Sequence, residues 1–200
     1  MSEADASPRE RLVDSAIALV RARGVHGTGV AELLTHSRAA RNSIYQHFPG
    51  GKAQLVEAST LAAGERMSGL LESLYVRGGA EGLVDGLVDW WQRELERDGF
   101  EAGCPVVAAA LAGPDLPGVE SAAGTVFTVW CAQLGAALAG RGLDADAAAS
   151  LAGFTVSAIE GAIIQCRATK SLRPLDDARV QLGALLEMRL GAPPATGATD

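Results

Sequence analysis

The sequence predicts an all-α fold, with a small N-terminal head of three short helices joined to a larger C-terminal helical body. Hydrophobic residues make up 48% of the 200-residue chain, which is too many for a disordered protein. Apolar residues recur at helical spacing, and the period-two alternation of β-branched residues that is typical of strands is missing. Both observations favour helices throughout the chain.

The first helix is predicted to begin at Ser7–Glu10, with the sequence "SPRE". The serine can cap the helix, the proline suits the first helical position, and the glutamate can reach back to complete a capping box. Apolar residues from Leu12 to Val20 then repeat at helical spacing. Gly24 is predicted to end this helix.

Two shorter helices follow in the next 25 or so residues. Thr28 can cap a second helix that runs to about His36, and a break is expected near Ser37–Ala39. A third helix is predicted from about Ala40 to His47, and "FPGG" at Phe48–Gly51 would stop it. Two short helices joined this tightly are typical of a helix-turn-helix.

From Lys52 onward the sequence predicts longer helices, separated by glycine and proline. Their expected ranges are 52–75, 80–98, 104–113, 117–142, 144–171 and 175–190. The chain is accordingly divided into a head at 1–56, a body at 57–191 and a tail at 192–200 that is predicted to be disordered.

Charge is distributed unevenly between the head and the rest of the chain. The whole chain carries a net charge of −7, but residues 1–56 hold seven basic and five acidic side chains. The remaining residues hold ten basic and nineteen acidic side chains, and all three histidines lie in the head. This asymmetry suggests an anion-facing head on an acidic body.

The cysteines and the apolar runs indicate a cytoplasmic protein. Cys104, Cys131 and Cys166 are far apart, odd in number and not spaced for a metal, so we expect reduced thiols and no metal site. The N-terminal residues contain no apolar core region, and no signal peptide is predicted. The uncharged run from Ser121 to Gly140 is rich in alanine and is interpreted as a buried helix rather than a membrane span.

The segment Ala40–Lys52, "ARNSIYQHFPGGK", concentrates hydrogen-bonding side chains in an otherwise apolar chain. On a helix placed in a DNA major groove, these side chains would reach base edges or phosphates. On composition alone, a solvated polar helix face explains them equally well. Those that can contact a base or a phosphate are Arg41, Asn42, Ser43, Tyr45, Gln46, His47 and Lys52.

A resemblance favours the DNA interpretation. Thr28-x-Val30 followed by "SIYQHFPGGKAQLV" resembles the DNA-binding domain of the TetR family of bacterial repressors over about residues 9–57. The "FPGGK" form, with one extra glycine, and the later "GCPVVAAAL" are similar to the subgroup that includes the LmrA and YxaF repressors.

The resemblance implies roles for residues of the head. Tyr45, His47 and Lys52 would contact phosphates, and Thr28 would cap the second helix and touch a phosphate with its amide end. The residues implied to lie at or in the groove are Ala39, Ala40, Arg41, Asn42, Ser43 and Gln46.

Three residues depart from the family pattern. Arg38 stands where the family usually has glycine in the turn, and Ala40 is a poor cap where the family often has Ser or Pro. Asn42 replaces a common small residue. Arg38 and Asn42 therefore either shift the DNA sequence preference or weaken binding.

The resemblance also implies a body that senses a small molecule. The candidate pocket residues are aromatic residues with a few polar groups among them, the mixture that ligand pockets usually show. They are Trp90, Trp91, Cys104, Phe127, Trp130, Cys131, Phe154 and Glu160. Each of them could instead belong to an ordinary core, and Glu160 could pair across an interface, bind a ligand or point to water.

A dimer is the second property that the resemblance implies for the body. Gly153, Ser157 and Gly161 recur at spacing four in the penultimate helix, where small residues allow a second helix to approach closely. Close packing within one chain would explain the same stripe. The predicted interface residues are Gly153, Ser157, Ala158, Gly161, Ala162, Gln165, Leu182, Leu185 and Leu186.

The function that these observations favour is a ligand-responsive repressor. It would bind palindromic operator DNA as a homodimer and be released by a small hydrophobic molecule. A DNA-binding protein controlled by a protein partner is the alternative. An enzyme is less supported, because the cysteines lie in the body away from every histidine, and no phosphate-binding or dinucleotide-binding glycine pattern appears. We expect no cofactor.

Overall fold

A computed structural model of the chain describes residues 7–40 and 42–191, except for the side chains of residues 80 and 81. Within these ranges the protein contains eight helices and no strand, so the prediction of an all-α fold is confirmed. The helices are α1 Pro8–Gly27, α2 Val30–Ser37, α3 Ser43–His47, α4 Gly51–Arg97, α5 Pro105–Ala110, α6 Pro117–Ala139, α7 Ala145–Thr169 and α8 Arg173–Leu190. The predicted disordered tail lies outside the described residues.

The start of α1 shows the expected capping box. Ser7 Oγ accepts a hydrogen bond from the Glu10 amide at 3.2 Å, and the Ser7 amide donates to Glu10 Oε2 at 2.7 Å. Gly24 breaks the helix where the sequence predicts its end, with a non-helical φ of 74° and ψ of 173°. One further turn then continues to Gly27.

The head is held together by a small apolar core. α1, α2, α3 and the first turns of α4 each contribute buried side chains to it. Ile44 and Phe48, which lie four residues apart, are both buried, as their spacing predicts. The members of this core are Leu12, Val13, Ala16, Leu19, Leu33, Ile44, Phe48 and Leu55.

α3 is shorter than the sequence predicts. It begins at Ser43 rather than near Ala40, and Asn42 is its N-cap residue. Ala40 belongs to the preceding turn, where its carbonyl accepts a hydrogen bond from the Ser43 amide at 2.8 Å. Alanine has no side-chain oxygen with which to cap a helix, which agrees with the later start.

α4 connects the head to the body. Its first turns place Leu55 in the head core, and its later turns place Leu71, Leu83 and Val88 in the body core. The predicted break near Gly78–Gly79 appears as a kink, because Gly79 has φ 64° and ψ −162°. A residue without a Cβ adopts this conformation readily.

The body packs α4 against α6, α6 against α7, and α7 against α8. α4 and α6 pack closely at Gly64, where a Cβ would lie 2.4 Å from Val126 Cγ2. Trp130 Nε1 donates a hydrogen bond to the Gly64 carbonyl at 3.2 Å. A residue of any larger size at position 64 would force the two helices apart.

Two helices of the body, α6 and α7, are long and apolar enough to cross a membrane by length and composition alone. Core helices of soluble proteins meet the same criterion, so it is weak evidence for a membrane span. Within the fold, both helices bury one face in the body core, through residues such as Trp130 and Ile163.

Candidate functional site

The turn between α2 and α3 places Arg38 in a left-handed conformation, with φ 52° and ψ 34°. The Ala39 amide donates to the Leu34 carbonyl at 3.1 Å, and the Arg38 amide donates to the Thr35 carbonyl at 3.3 Å. These bonds form a Schellman-type helix ending, in which glycine usually occupies the left-handed position. The turn therefore keeps this geometry although its left-handed residue has a side chain.

Contacts from α1 fix the orientation of α2. Arg11 Nε donates to the Ser37 carbonyl at 3.2 Å, and His36 Nδ1 is hydrogen bonded to Ser15 Oγ at 2.9 Å. Arg23 also forms an ion pair with Glu32. α2 and the start of the turn that follows it are thus anchored to α1.

α3 presents polar side chains to solvent because its apolar side faces the head core. Tyr45 is 61% exposed, and Gln46 and His47 beside it are also exposed. We define the α3 face as the exposed side chains of this helix and of the turn before it. Its described members are Arg38, Ala40, Asn42, Tyr45, Gln46 and His47.

Gly51 at the start of α4 shapes the edge of the α3 face. Its φ is 67°, its amide donates to the Phe48 carbonyl at 2.8 Å, and a Cβ would lie 3.4 Å from Tyr45 Cε1. The positive φ favours glycine at this position, and the Tyr45 ring lies beside it at the N-terminus of α4. Lys52 is half-buried there, and burial lowers the pKa of its ammonium group. A helix N-terminus with a lysine beside it suits an anion such as a phosphate.

Two of the predicted DNA contacts require correction. Thr28 is completely buried, its hydroxyl donates to the Gly24 carbonyl at 2.8 Å, and its amide donates to the Val25 carbonyl. Both groups therefore close the end of α1, and Gly29, not Thr28, is the N-cap of α2. Ser43 is only 7% exposed, so its side chain lies inside the head. Both residues support the interface from behind.

The other predicted contacts of the head are distributed as follows. Ala39 is half-buried against the head core, and Lys52 lies at the edge next to Tyr45. Arg41 lies outside the described residues, so its role stays a prediction from the sequence.

In the body, four of the predicted pocket residues lie around one cavity of about 240 Å³. Trp90, Trp91, Cys104 and Trp130 line it together. The Trp90 and Trp91 rings meet edge to face, with centroids 4.8 Å apart. We call this space the tryptophan cavity. Its aromatic lining is typical of small-molecule sites.

A larger cleft of about 670 Å³ lies between the end of α1, residues 100–111 and α7. Glu160 and Cys104 both line this α1–α7 cleft.

Glu160 is half-buried, and its Oε2 atom is completely covered and has no hydrogen-bond partner among the described residues. Burial raises the pKa of the Glu160 carboxyl to about 7, although a hydrogen bond with the Cys104 thiol lowers it in part. Burial and the nearby Glu160 carboxylate raise the pKa of Cys104 well above its usual range.

The remaining predicted pocket residues are not part of these two cavities. Phe127 packs against Trp130 edge to face, with centroids 5.6 Å apart, and so supports the tryptophan cavity from outside. Cys131 is half-buried on α6 and lines neither space. Phe154 is 56% exposed and lines a separate groove between α7 and α8, apart from the two cavities.

The predicted interface residues fall into two groups. Ala162, Leu182 and Leu186 are buried in the core of their own chain, so they do not form part of a surface. The other six are exposed or half-buried: Gly153, Ser157, Ala158, Gly161, Gln165 and Leu185. Ile164 and Met188 are exposed beside them and were not predicted from the sequence. The sequence could have indicated both residues, because each lies three or four residues from other exposed positions of its helix.

Head and body are joined by hydrogen bonds that we call the α1 clamp. Arg21 Nε donates to the Gly103 carbonyl at 3.0 Å, and the Gly103 amide donates to the Arg21 carbonyl at 3.0 Å. The Arg21 guanidinium also pairs with Glu94 and Asp98, and Arg167 of α7 donates to the Ala22 carbonyl at 2.9 Å. Gly103 directly precedes Cys104, so the clamp connects the head to the wall of both cavities. No sequence signal indicated it, because its partners are 73 to 145 residues apart.

The fold and the α3 face define a DNA-binding regulator of the helix-turn-helix class, and comparison with known proteins agrees. Residues 12–59 match the family of bacterial regulatory proteins named tetR, and residues 81–181 match the C-terminal domain of LmrA/YxaF-like transcriptional regulators. The chain belongs to the TetR family of transcriptional regulators, in its LmrA/YxaF-like group. This is a family of regulators rather than of enzymes.

Individual relatives support the assignment. An uncharacterized HTH-type transcriptional regulator of Mycobacterium tuberculosis, Rv0196, is 37% identical over 185 residues, which cover 90% of this chain and 94% of the relative. LmrA of Bacillus subtilis is 43% identical over 47 residues, 24% of this chain and 25% of that protein. The crystal structure of a TetR regulatory protein from Rhodobacter sphaeroides has the same fold, with a TM-score of 0.78 at 22% identity, covering 88% of this chain and 97% of the other.

Proposed function

We propose that this chain is a ligand-responsive repressor that binds palindromic operator DNA as a homodimer and releases it when a small hydrophobic molecule binds the body. The α3 face is the observation that carries the proposal. Tyr45, Gln46 and His47 are exposed on a helix that Ile44 and Phe48 hold to the head core. In this arrangement one polar helix face is free to enter a major groove.

Four members of the α3 face have a part in this proposal. Asn42 and Gln46 reach base edges, because side-chain amides can form paired hydrogen bonds with adenine. Tyr45 and His47 contact phosphates, together with Lys52 and the N-terminus of α4. Arg41, which lies outside the described residues, adds a base or phosphate contact.

Binding to two half-sites requires a dimer, and the surface of α7 and α8 is the proposed interface. Large apolar side chains are exposed there without cover from their own chain: Phe154, Ile164, Val180 and Met188. Ser157 and Gln165 lie on the same face of α7 as Phe154 and Ile164, at helical spacing. Large apolar side chains exposed on two neighbouring helices support an interface on this surface. The head carries a modest charge, so a dimer also supplies the affinity that one head lacks.

The tryptophan cavity and the α1–α7 cleft are the proposed effector site. Cys104 lines both, and Gly103 before it is bonded to Arg21 of the head. A ligand that moves the Cys104 segment therefore moves α1 as well. The effector would bind more tightly to a conformation in which the distance between the two α3 faces does not match the two half-sites of the operator. It would then shift the population of the protein away from the operator-bound state.

Selection of bound duplexes from a random pool tests the DNA-binding part of this proposal. We expect a palindromic consensus whose binding weakens steeply as salt rises. Tyr45→Phe removes one hydroxyl and should weaken binding to that consensus by about tenfold. Tyr75→Phe is the matched control, because Tyr75 is a partly exposed tyrosine of α4 outside the head and should leave binding unchanged. Failure to enrich any sequence, or an equal loss in both variants, would contradict the proposed role of the α3 face.

A further inference from the structure

Three internal spaces meet at Glu160 and Cys104. Cys104 lines the tryptophan cavity and the α1–α7 cleft, and Glu160 lines that cleft and a small inner cavity of about 30 Å³. Trp91 and Trp130 line both the inner cavity and the tryptophan cavity. A carboxyl group thus lies between the α1–α7 cleft and the aromatic inner cavity.

Among the described residues, no cation compensates the charge of the Glu160 carboxyl. Its pKa responds to burial and to the Cys104 thiol, with no contribution from a cation. The basic groups of the surrounding elements are engaged elsewhere. They are Arg23, paired with Glu32; His26, bonded to the Ala112 carbonyl; Arg167, bonded to the Ala22 and Glu101 carbonyls; Lys170, paired with Glu101; Arg21, paired with Glu94 and Asp98; and Arg66, paired with Asp14.

We propose that Glu160 binds the positive charge of an organic cation, a flat aromatic compound with a protonated or quaternary nitrogen. The aromatic part would lie in the tryptophan cavity against Trp91 and Trp130, and the charge would meet the Glu160 carboxylate through the inner cavity that these two rings share with it. Such a ligand supplies the partner that a buried carboxylate otherwise lacks, and the electron-rich faces of tryptophan attract cations as well. This inference rests on the effector-binding role proposed above and narrows the effector to a chemical class.

The proposal predicts a pH dependence with a definite sign. A permanent cation binds the ionised carboxylate, whereas near pH 7 the Glu160 carboxyl is partly protonated because burial raises its pKa to about 7. Affinity for the cation should therefore rise by about tenfold between pH 6 and pH 8. A neutral compound of the same shape gains nothing from ionisation and should show no such rise.

Binding of two isosteric compounds to the full chain tests this inference. N-methylquinolinium carries the charge, and methylnaphthalene has the same shape without it. Quenching of tryptophan fluorescence gives both affinities. We expect the wild type to bind the cation more tightly. Glu160→Gln keeps the size of the side chain and should weaken cation binding by about tenfold or more, remove its pH dependence and leave the neutral compound within about twofold.

The control is Glu72→Gln, because Glu72 is an exposed carboxylate of α4 that lines none of the three spaces and should change neither affinity. Equal binding of both compounds by the wild type would overturn the inference, and so would unchanged cation binding by Glu160→Gln. The wild-type comparison and its pH profile need no variant, so they decide the question even if Glu160→Gln fails to fold.

Binding is measured without DNA. If the cation binds through Glu160 but does not release the operator, the site stands and the effector role fails.

Discussion

Arg38 holds a left-handed backbone at a turn where most helix endings of this kind use glycine. Its φ of 52° and ψ of 34° bring its Cβ close to the neighbouring carbonyl oxygen, which costs about 1 kcal/mol. The side chain is exposed at the edge of the α3 face. The strained residue carries a positive charge at the edge of the proposed DNA-binding face. A role in DNA binding would be a functional reason for an arginine at this position.

Replacement of Arg38 separates these two effects. Arg38→Gly and Arg38→Ala both remove the cation, but glycine alone relieves the backbone strain. We expect Arg38→Gly to be more stable than Arg38→Ala by about 1 kcal/mol, as measured by urea denaturation. Both variants should bind the selected operator equally weakly relative to the wild type. Equal stability of the two variants would show that the turn relaxes away from the left-handed conformation.

At the scale of elements, the crossing of α4 and α6 depends on a single missing side chain. Gly64 brings its carbonyl within hydrogen-bonding distance of Trp130, which lines the tryptophan cavity. The partner at the crossing is Val126, whose branched side chain has little rotational freedom with which to move away. The packing that positions Trp130 is therefore tight at this point.

Two glycines of α4 provide a matched test of this packing. Gly64→Ala places a Cβ 2.4 Å from Val126 Cγ2 and should destabilise the protein by about 1 to 3 kcal/mol. Gly69→Ala is the control, because Gly69 lies in the same helix and a Cβ added there would have no neighbouring atom within 4 Å. It should stabilise the helix by about 0.5 to 1 kcal/mol. Thermal and urea unfolding measure both, and a neutral Gly64→Ala would mean that α4 and α6 can separate at this crossing without cost.

At the scale of the whole molecule, α7 is apolar on most of its circumference. One side packs Ile159 and Ile163 into the body core, and the opposite side exposes Phe154 and Ile164 to solvent. A helix that is apolar on both sides needs a second surface to cover it, and a symmetric copy of the same helix is the simplest one.

Charge substitutions in this surface test the proposed dimer. Phe154→Glu and Ile164→Glu would bury unpaired carboxylates at the interface and should weaken self-association by about a hundredfold. Light scattering after size exclusion distinguishes the 20.5 kDa chain from a particle of twice that mass. Val76→Glu is the control, because Val76 is exposed on α4 away from this surface and should leave the mass unchanged. A wild-type monomer, or a dimer that resists both substitutions, would place the interface elsewhere or remove it.

The sequence by itself determined the features that depend on neighbours within a few residues. The Ser7–Glu10 capping box, the break at Gly79 and the inward positions of Ile44 and Phe48 all follow from local spacing and local hydrogen bonds. The helix-turn-helix and its polar third helix follow in the same way. Such features are decided by interactions that are complete within one or two turns of helix.

Only the tertiary structure decided which side of each apolar helix is covered. Phe154 is exposed although it was predicted to line a pocket, and Leu182 is buried although it was predicted to lie on a surface, because α7 and α8 offer more than one apolar stripe. The burial of Thr28 and Ser43, the α1 clamp and the meeting of Glu160 with Cys104 likewise depend on segments distant in sequence. The physical reason is that periodicity defines a stripe on one helix, whereas burial depends on the crossing of that helix with others, which no local pattern contains.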